Sequence, residues 1–362
     1  MTSPAVKIAN IRDLGPQLTD NPHQMVGQDG AYSIPLNNGQ TLFFFGDTLI
    51  GNRVPGKSIW YPGGQPVGPK DMSGRGSIRR MVNNCGLLID NHDARNGLRD
   101  FKYILDDDGE IRTLIPLLPD EHHDEIRVWC MHGIAIGEKI YLFFVKVEML
   151  NDGPFPVNFD ILGSGMAVGT VGEWKFERVY HNVSDLFWRK KDPQFGSAAL
   201  LSADKHWIYL YGVKMDAQFV QQSHLARVPV AALEDRDSYE FFAGDDRWRK
   251  NVDDAVPVFA GPPNEQSVNW NEYLGCYLAV HSLNITGKIV ARTAPQPWGP
   301  WSEPVEITQI TPVRQTPLPY PPLVYAAKAH PSLSRENGRI IYVTYVEFEE
   351  YYPHLLEITL IK

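Results

Sequence analysis

Carboxylates set at the ends of apolar runs are the first residues in this sequence that could do chemistry. Asp29 stands just ahead of one such segment, and Asp47 follows the large apolar residues Leu42, Phe43, Phe44 and Phe45. An ionised carboxylate there is costly unless it is hydrogen-bonded, paired with a cation or put to use. Comparable polar residues recur along the chain. They are Glu125 and His132 in EIRVWCMHG, Asp192 in KDPQFGS, Glu265 in NEQSVNW with Asn269 and Glu272 beyond it, and Lys328 and His330 in YAAKAHP. Two carboxyls facing each other suit cleavage of a glycosidic bond. One stays protonated to donate to the leaving oxygen, and the other stays ionised to attack or to activate water. Burial and mutual repulsion push the two pKa values apart. The assignment that follows makes Asp29 the base or nucleophile and Glu265 the acid. Asp47 orients or tunes, and Asp192 is a reserve acid. Trp129, Trp188, Trp270 and Tyr325 stand beside the same positions and offer flat faces to a sugar ring. His132, Asn269, Arg314 and His330 complete the candidate substrate contacts, with Arg314 and His330 able to tune the acids.

Each of these residues also has a plainer reading. Asp47 can cap a hairpin end by accepting backbone N–H groups. Asp192, ahead of Pro193, suits a turn. His330 suits a satisfied core histidine, and Glu272 suits an exposed turn. His122, His123 and Asp124 form an acidic, solvated loop more readily than a metal site. The run DDDGE at 106–110 lacks the remaining ligands of a calcium loop. There is no phosphate loop, nucleophile elbow or dinucleotide fingerprint, so neither a cofactor nor a metal is expected.

The residues need a frame. Residues 27–51, GQDGAYSIPLNNGQTLFFFGDTLIG, read as a β-hairpin: 31–36 and 41–45 are strands, and Asn37-Asn38-Gly39 is the turn. The same layout returns around LFFF at Leu42, IYLFF at Ile140, WIYLY at Trp207, CYLAV at Cys276 and IIYVTY at Ile340. The starts are separated by 98, 67, 69 and 64 residues, by subtraction along the sequence, and the first interval carries a Gly/Pro-rich stretch at 52–80 read as a loop. Further strands are expected at 85–89, 101–105, 111–115, 165–170, 174–179 and 223–229. Five recurring hairpin units predict radial repetition: an all-β, five-bladed β-propeller with four-stranded antiparallel blades. The expected blades are 27–118, 126–180, 195–243, 267–307 and 323–361, in one domain spanning 1–362. A strand at 6–11 is expected to pair with 355–361 and cover two edges. A β-sandwich pair is the alternative.

Composition agrees with a β-rich globular chain. Of 362 residues, 43% are hydrophobic and 21% charged, with 30 Gly and 28 Pro to make turns. The net charge of −9 leaves no basic stripe for phosphates, so a nucleic-acid partner is not expected. No apolar run is long enough to span a bilayer, so neither is a membrane. Cys85, Cys130 and Cys276 are far apart and read as buried thiols. The N-terminus lacks the pattern of a signal peptide, which fits either a cytoplasmic protein or a mature secreted form.

The Asp29-Gly30 pair, the turn, and the apolar strand ending in Gly46-Asp47-Thr48 together resemble a known family. It was first called domain of unknown function 4185 and later grouped with endo-D-arabinanases as glycoside hydrolase family 183. HPSLSRENGRIIYVTYV and WGPWSEP are also similar to five-bladed propeller glycosidases, including the family 43 type. The resemblance implies a five-bladed propeller that hydrolyses a furanoside-containing glycan, with Asp29 and Asp47 as the acidic pair. Two other functions compete. A non-catalytic carbohydrate-binding propeller would bind glycans without releasing reducing ends, and an interaction scaffold would have its centre filled by apolar side chains.

Overall fold

A computed structural model of the chain describes residues 6–55, 57–60, 72–151, 158–312 and 322–362. The chain is all-β. The described strands form six antiparallel sheets, and helix is confined to five single-turn 3-10 segments.

The first sheet orders Tyr32–Pro35, Thr41–Phe45, Cys85–Ile89 and Phe101–Tyr103. Its opening hairpin closes at Asn37-Asn38-Gly39, where Gly39 takes φ +86°, a region that glycine enters without steric cost. The second sheet runs Ile126–Ile136, Lys139–Met149, Phe159–Thr170 and Glu177–Arg178, with Trp188–Arg189 also paired to its third strand. The third runs Gln194–Leu201, Trp207–Met215, Gln221–Pro229, Glu240–Phe242 and Trp248–Arg249, with Phe259–Ala260 added beside Gln221–Pro229. The fourth orders Gln266–Asn271, Cys276–Ser282, Lys288–Ala294 and Val305–Gln309. The fifth orders Val324–Ala329, Ile340–Glu347, Pro353–Ile361 and, outermost, the N-terminal strand Lys7–Pro16. Lys7 pairs with Ile361 and Ile11 with Ile358, so the two ends of the chain share one sheet.

Side-chain alternation explains why the second strand of each hairpin is apolar throughout. Leu42 and Phe44 pack with Val128, Leu142 and Phe144 of the second sheet. Phe43 and Phe45, on the opposite face, pack with Tyr342 and Leu355 of the fifth. Phe143 reaches Phe195 and Leu210 of the third sheet, Tyr211 meets Val268 and Ala279 of the fourth, and Val280 meets Val343 and Leu356 of the fifth. The packing order therefore returns to its start. Phe43, Phe44 and Phe45 are wholly buried, and each buried phenyl contributes roughly 1.5–3 kcal/mol relative to exposure.

The sixth sheet is small: Met25–Gln28, Thr48–Gly51 and Ile78–Val82. The stretch 52–80 is thus not all loop, since its last three residues begin a strand; residues 61–71 of it lie outside the described set. Two other expectations differ. Residues 111–115 form no strand and contribute only the isolated bridge Leu105–Ile111. The second and third sheets hold five and six strands rather than four, because a short segment after each outer turn folds back onto the third strand and, in the third sheet, Trp248–Arg249 adds to the outer edge beside Glu240–Phe242.

Candidate active site

The hairpin that opens the first sheet is longer than that sheet. Both of its arms run on into the small sixth sheet, and they change sheets at the same level. At that level the Asp29 N–H donates to the Asp47 carbonyl at 2.9 Å, and the Gly46 N–H donates to the Asp29 carbonyl at 2.9 Å. Two residues, Gly46 and Asp47, therefore oppose the single residue Asp29, which is the arrangement of a β-bulge. Gly30 follows at φ +65°, with the place for a Cβ only 3.1 Å from the Tyr32 ring. The bend puts both aspartates at the mouth of the first sheet, on one cavity of about 410 Å³.

Three other segments complete the floor of that cavity. Glu265 stands just before Gln266–Asn271, after Asn264 at φ 112°, a sparsely populated conformation for a residue with a side chain. Buried Gln266 fixes the start of this strand by donating to Ser197 Oγ at 2.7 Å and Ser223 Oγ at 3.1 Å. Tyr325 and Lys328 come from Val324–Ala329. There the ladder slips between Tyr325 and Lys328, and Ala326 takes φ 59°. Tyr351 takes φ 57° in the turn after Ile340–Glu347. Strained backbone concentrated around a cavity is a recurrent feature of functional sites.

The electrostatics follow from burial. Burial raises the Asp29 pKa, while the Tyr325 hydroxyl, the Lys328 ammonium and the Tyr351 hydroxyl pull the other way. Burial pushes Glu265 up to about 7, Lys328 opposes the rise, and Asp29 adds to it. Lys328 is brought down to about 8 by burial, against the attraction of both carboxylates. Its Nζ lies 3.5 Å from the centre of the Tyr32 ring and has no hydrogen-bond partner among the described residues. Asp47 has buried Arg127 beside it, Nε to Oδ1 at 3.8 Å. One carboxyl poised near neutrality next to another that a cation helps to ionise is what acid–base catalysis requires.

The structure brings Asp29, Asp47, Glu265, Trp129 and Tyr325 together on the cavity. The indole N–H of Trp129 is buried without a partner among the described residues. His132 and His330 lie off the cavity lining and feel the Lys328 charge. Burial lowers His132 to about 4 and His330 to about 3, so both are neutral. His330 is a satisfied core residue: Nδ1 meets Ser33 Oγ at 2.8 Å, Nε2 meets Thr344 Oγ1 at 2.7 Å, and Phe43 stacks on the ring. Asp192 is not on the cavity. Its Oδ2 accepts the Arg189 N–H at 2.9 Å, which is the turn role. Asn269 and Trp270 are also elsewhere. They sit four and five residues beyond Glu265 on an extended strand, roughly 13–17 Å away at the usual rise, and Trp270 is 44% exposed. Glu125 is exposed, and Trp188 is core. Arg314 lies outside the described residues.

Sequence reasoning did not single out Tyr32, Arg127, Asn264 or Tyr351, and it gave Lys328 no role. Only Arg127 carried a signal, as a cation inside the apolar alternation of IRVWC. Among the described residues, one group has metal-ligand spacing: Glu347, Glu350 and His354, within 4.8 Å of one another. It is off the cavity and already closed by the 2.7 Å contact between His354 Nε2 and Glu350. No helix among the described residues is long and apolar enough to cross a membrane.

Fold and site together define an all-β chain built around an acidic, partly apolar cavity. The chain belongs to the family described as domain of unknown function (DUF4185), whose profile matches residues 14–357. No curated protein matches the sequence. Among solved structures it is similar to a protein from Bacteroides ovatus described as a "putative hydrolase", with TM-score 0.64 and 14% identity over 96% of this chain and 87% of that one. It is also similar to Zg3597, a family 117 glycoside hydrolase of the marine bacterium Zobellia galactanivorans, with TM-score 0.52 and 10% identity over 98% of this chain and 90% of that one. At such identities the likeness is one of fold.

Proposed function

We propose that this protein is a glycoside hydrolase acting on a furanoside-containing, arabinan-like glycan. In this reading the five larger sheets are the blades of a five-bladed propeller in one domain, and the cavity lies at one end of its axis. Glu265 gives its proton to the leaving oxygen as the glycosidic C–O bond breaks. Asp29 activates the water whose hydroxyl ends on the anomeric carbon, or attacks that carbon first. Asp47, held beside Arg127, orients the site, and Trp129 and Tyr325 bind the sugar. The observation that carries the reading is the meeting of Asp29 and Glu265, 236 positions apart in the sequence, on one cavity with Glu265 raised to about 7. The fold shared with a family 117 glycoside hydrolase supports it. So does the cavity of about 410 Å³, since a scaffold would have its centre filled.

The test is a panel of arabinan, arabinogalactan and aryl furanosides with product analysis, run on the native protein and on Asp29→Asn. Release of sugar by the native protein and its loss in the variant support the reading. Glycan binding with no release by the native protein would replace it with the carbohydrate-binding alternative.

A further inference from the structure

The cavity has a second character that the carboxylates do not explain. Met131, Val145 and Val147 form a hydrophobic cluster with Trp129, Met149, Phe159 and Ile161 packed against it. All seven side chains come from the second sheet, and all seven line the cavity. The clusters between neighbouring sheets join residues of two or more of them, whereas this one is drawn from the second sheet alone. Met72, Met81 and Met215 line the cavity as well, so five of the chain's eight methionines are gathered there. Thioether side chains adapt to apolar groups of varied shape and offer a sugar hydroxyl almost nothing.

The mouth of the cavity repeats the pattern. Phe219 lines it, is 83% exposed, and takes φ 61° at the tip of the turn between Trp207–Met215 and Gln221–Pro229. A bulky aromatic in the left-handed region is strained, and an exposed one gains nothing for folding. The turn is nonetheless held firmly. Asp216 Oδ1 accepts the N–H groups of Gln218 and Val220 at 2.9 Å each, and Gln222 donates to Asp216 Oδ2 at 2.8 Å. Charge selects further. Among the described lining residues the only charged side chains are Asp29, Asp47 and Glu265, while the cations Lys328 and Arg127 lie behind them, off the lining, so an anionic substituent would meet the carboxylates first.

We propose that the site takes a neutral glycoside carrying an apolar aglycone, an alkyl or aryl chain. Its sugar lies over the carboxylate floor, and its aglycone lies along the methionine-rich wall of the second sheet and out under Phe219. This rests on the glycosidase reading for the position of the sugar, but its test does not depend on turnover.

The experiment is calorimetric binding of methyl, butyl and octyl arabinofuranosides, each below its micelle-forming concentration. It uses the native protein, Phe219→Ser and Met149→Gln. A buried methylene contributes about 0.8 kcal/mol, or about fourfold in affinity. The native protein is expected to bind the octyl compound more than about 100-fold tighter than the methyl compound, and each variant is expected to lose about tenfold or more of that gain. Equal affinity across the series overturns the proposal, as does a gain that both variants retain in full. Rising affinity without hydrolysis of any member would sink the glycosidase reading and leave this one standing. Hydrolysis with a flat affinity series would do the reverse.

Discussion

Two clusters of inward-facing charge in this protein behave in opposite ways. In the first, Arg178 grips Glu121 with two hydrogen bonds of 2.8 and 2.7 Å, and it also donates to Asp185 at 2.7 Å. Lys146 bridges the same two carboxylates, and the Leu118 N–H adds a further bond to Glu121 at 2.8 Å. Burial alone would raise Glu121, but these partners hold it down at about 2. In the second cluster, burial wins. Glu265 is raised to about 7, Lys328 is lowered to about 8, and the Lys328 Nζ has no hydrogen-bond partner among the described residues. Both clusters mix anions with cations. They differ in geometry, because the first joins its cations and anions by direct ion pairs, whereas in the second Asp29 bonds the Tyr325 and Tyr351 hydroxyls and no ion pair joins Lys328 to Asp29 or Glu265 among the described residues. A satisfied buried network is a structural element, whereas a frustrated one inside a cavity leaves its groups ready for a ligand. The first cluster and the cavity even share a strand. Lys146 serves the first cluster, while its neighbours Val145 and Val147 point to the other face and line the cavity.

The sharpest way to separate the clusters is to remove one charge from each. Asp29→Asn is expected to lower glycoside turnover by about 10³-fold or more and to leave the melting temperature unchanged or higher, since a carboxylate that burial disfavours is gone. Arg178→Ala leaves the buried Glu121 and Asp185 with Lys146 as their one shared cation among the described residues, and urea unfolding should show a loss of about 3 kcal/mol. A loss below about 1 kcal/mol there would place that pair with weak surface ion pairs instead.

The pH dependence of stability should carry opposite signs. The folded pKa of Glu121 lies below its ordinary value of 4.5, so its contribution is full above 4.5 and is lost as pH falls toward about 2. Glu265 is raised, so the folded state is favoured at low pH and loses stability as pH climbs from 4.5 to about 7. Glu121→Gln should flatten the acid side of the stability curve. Glu265→Gln should remove the loss between those values, a gain of about 3 kcal/mol at pH 8 at about 1.4 kcal/mol per pH unit. Denaturant midpoints measured from pH 2 to 9 would decide both.

Lys328→Met removes the cation that opposes the rise of Glu265. The alkaline limb of the kcat/KM profile should therefore move to higher pH. A purely structural lysine would instead lower the rate at every pH without moving that limb. The smallest effect is expected from Asp192→Ala. Turnover should stay within about twofold, and stability should fall by about 1 kcal/mol for the lost bond to the Arg189 N–H.

Much of the frame was legible in the sequence because it rests on local patterns. The Asn-Asn-Gly turn, the apolar second strands and their spacing all act over a few residues. That Asp29, Asp47 and Glu265 are worth placing together was legible because a carboxylate beside an apolar run needs a reason, and the three do line one cavity. Asp192 looked equivalent by the same rule, and Asn269 and Trp270 by their nearness to Glu265, yet all three lie off the cavity. Asp192 meets its own turn, and an extended strand carries Asn269 and Trp270 away from the cavity. Tyr351 and Asn264 could not be found this way, since their placement depends on backbone conformations that no local pattern announces. The short segments added to the second and third sheets, two residues each, are too short to show periodicity.

By itself, the sequence determined that the chain is built of antiparallel hairpins with acids at their ends, because strand alternation and turn chemistry are written in neighbouring residues. Only the tertiary structure decided which acids meet and in what protonation state. A pKa depends on what surrounds a group in space, and Asp29, Glu265 and Lys328 become neighbours only when the first, fourth and fifth sheets are packed around one cavity.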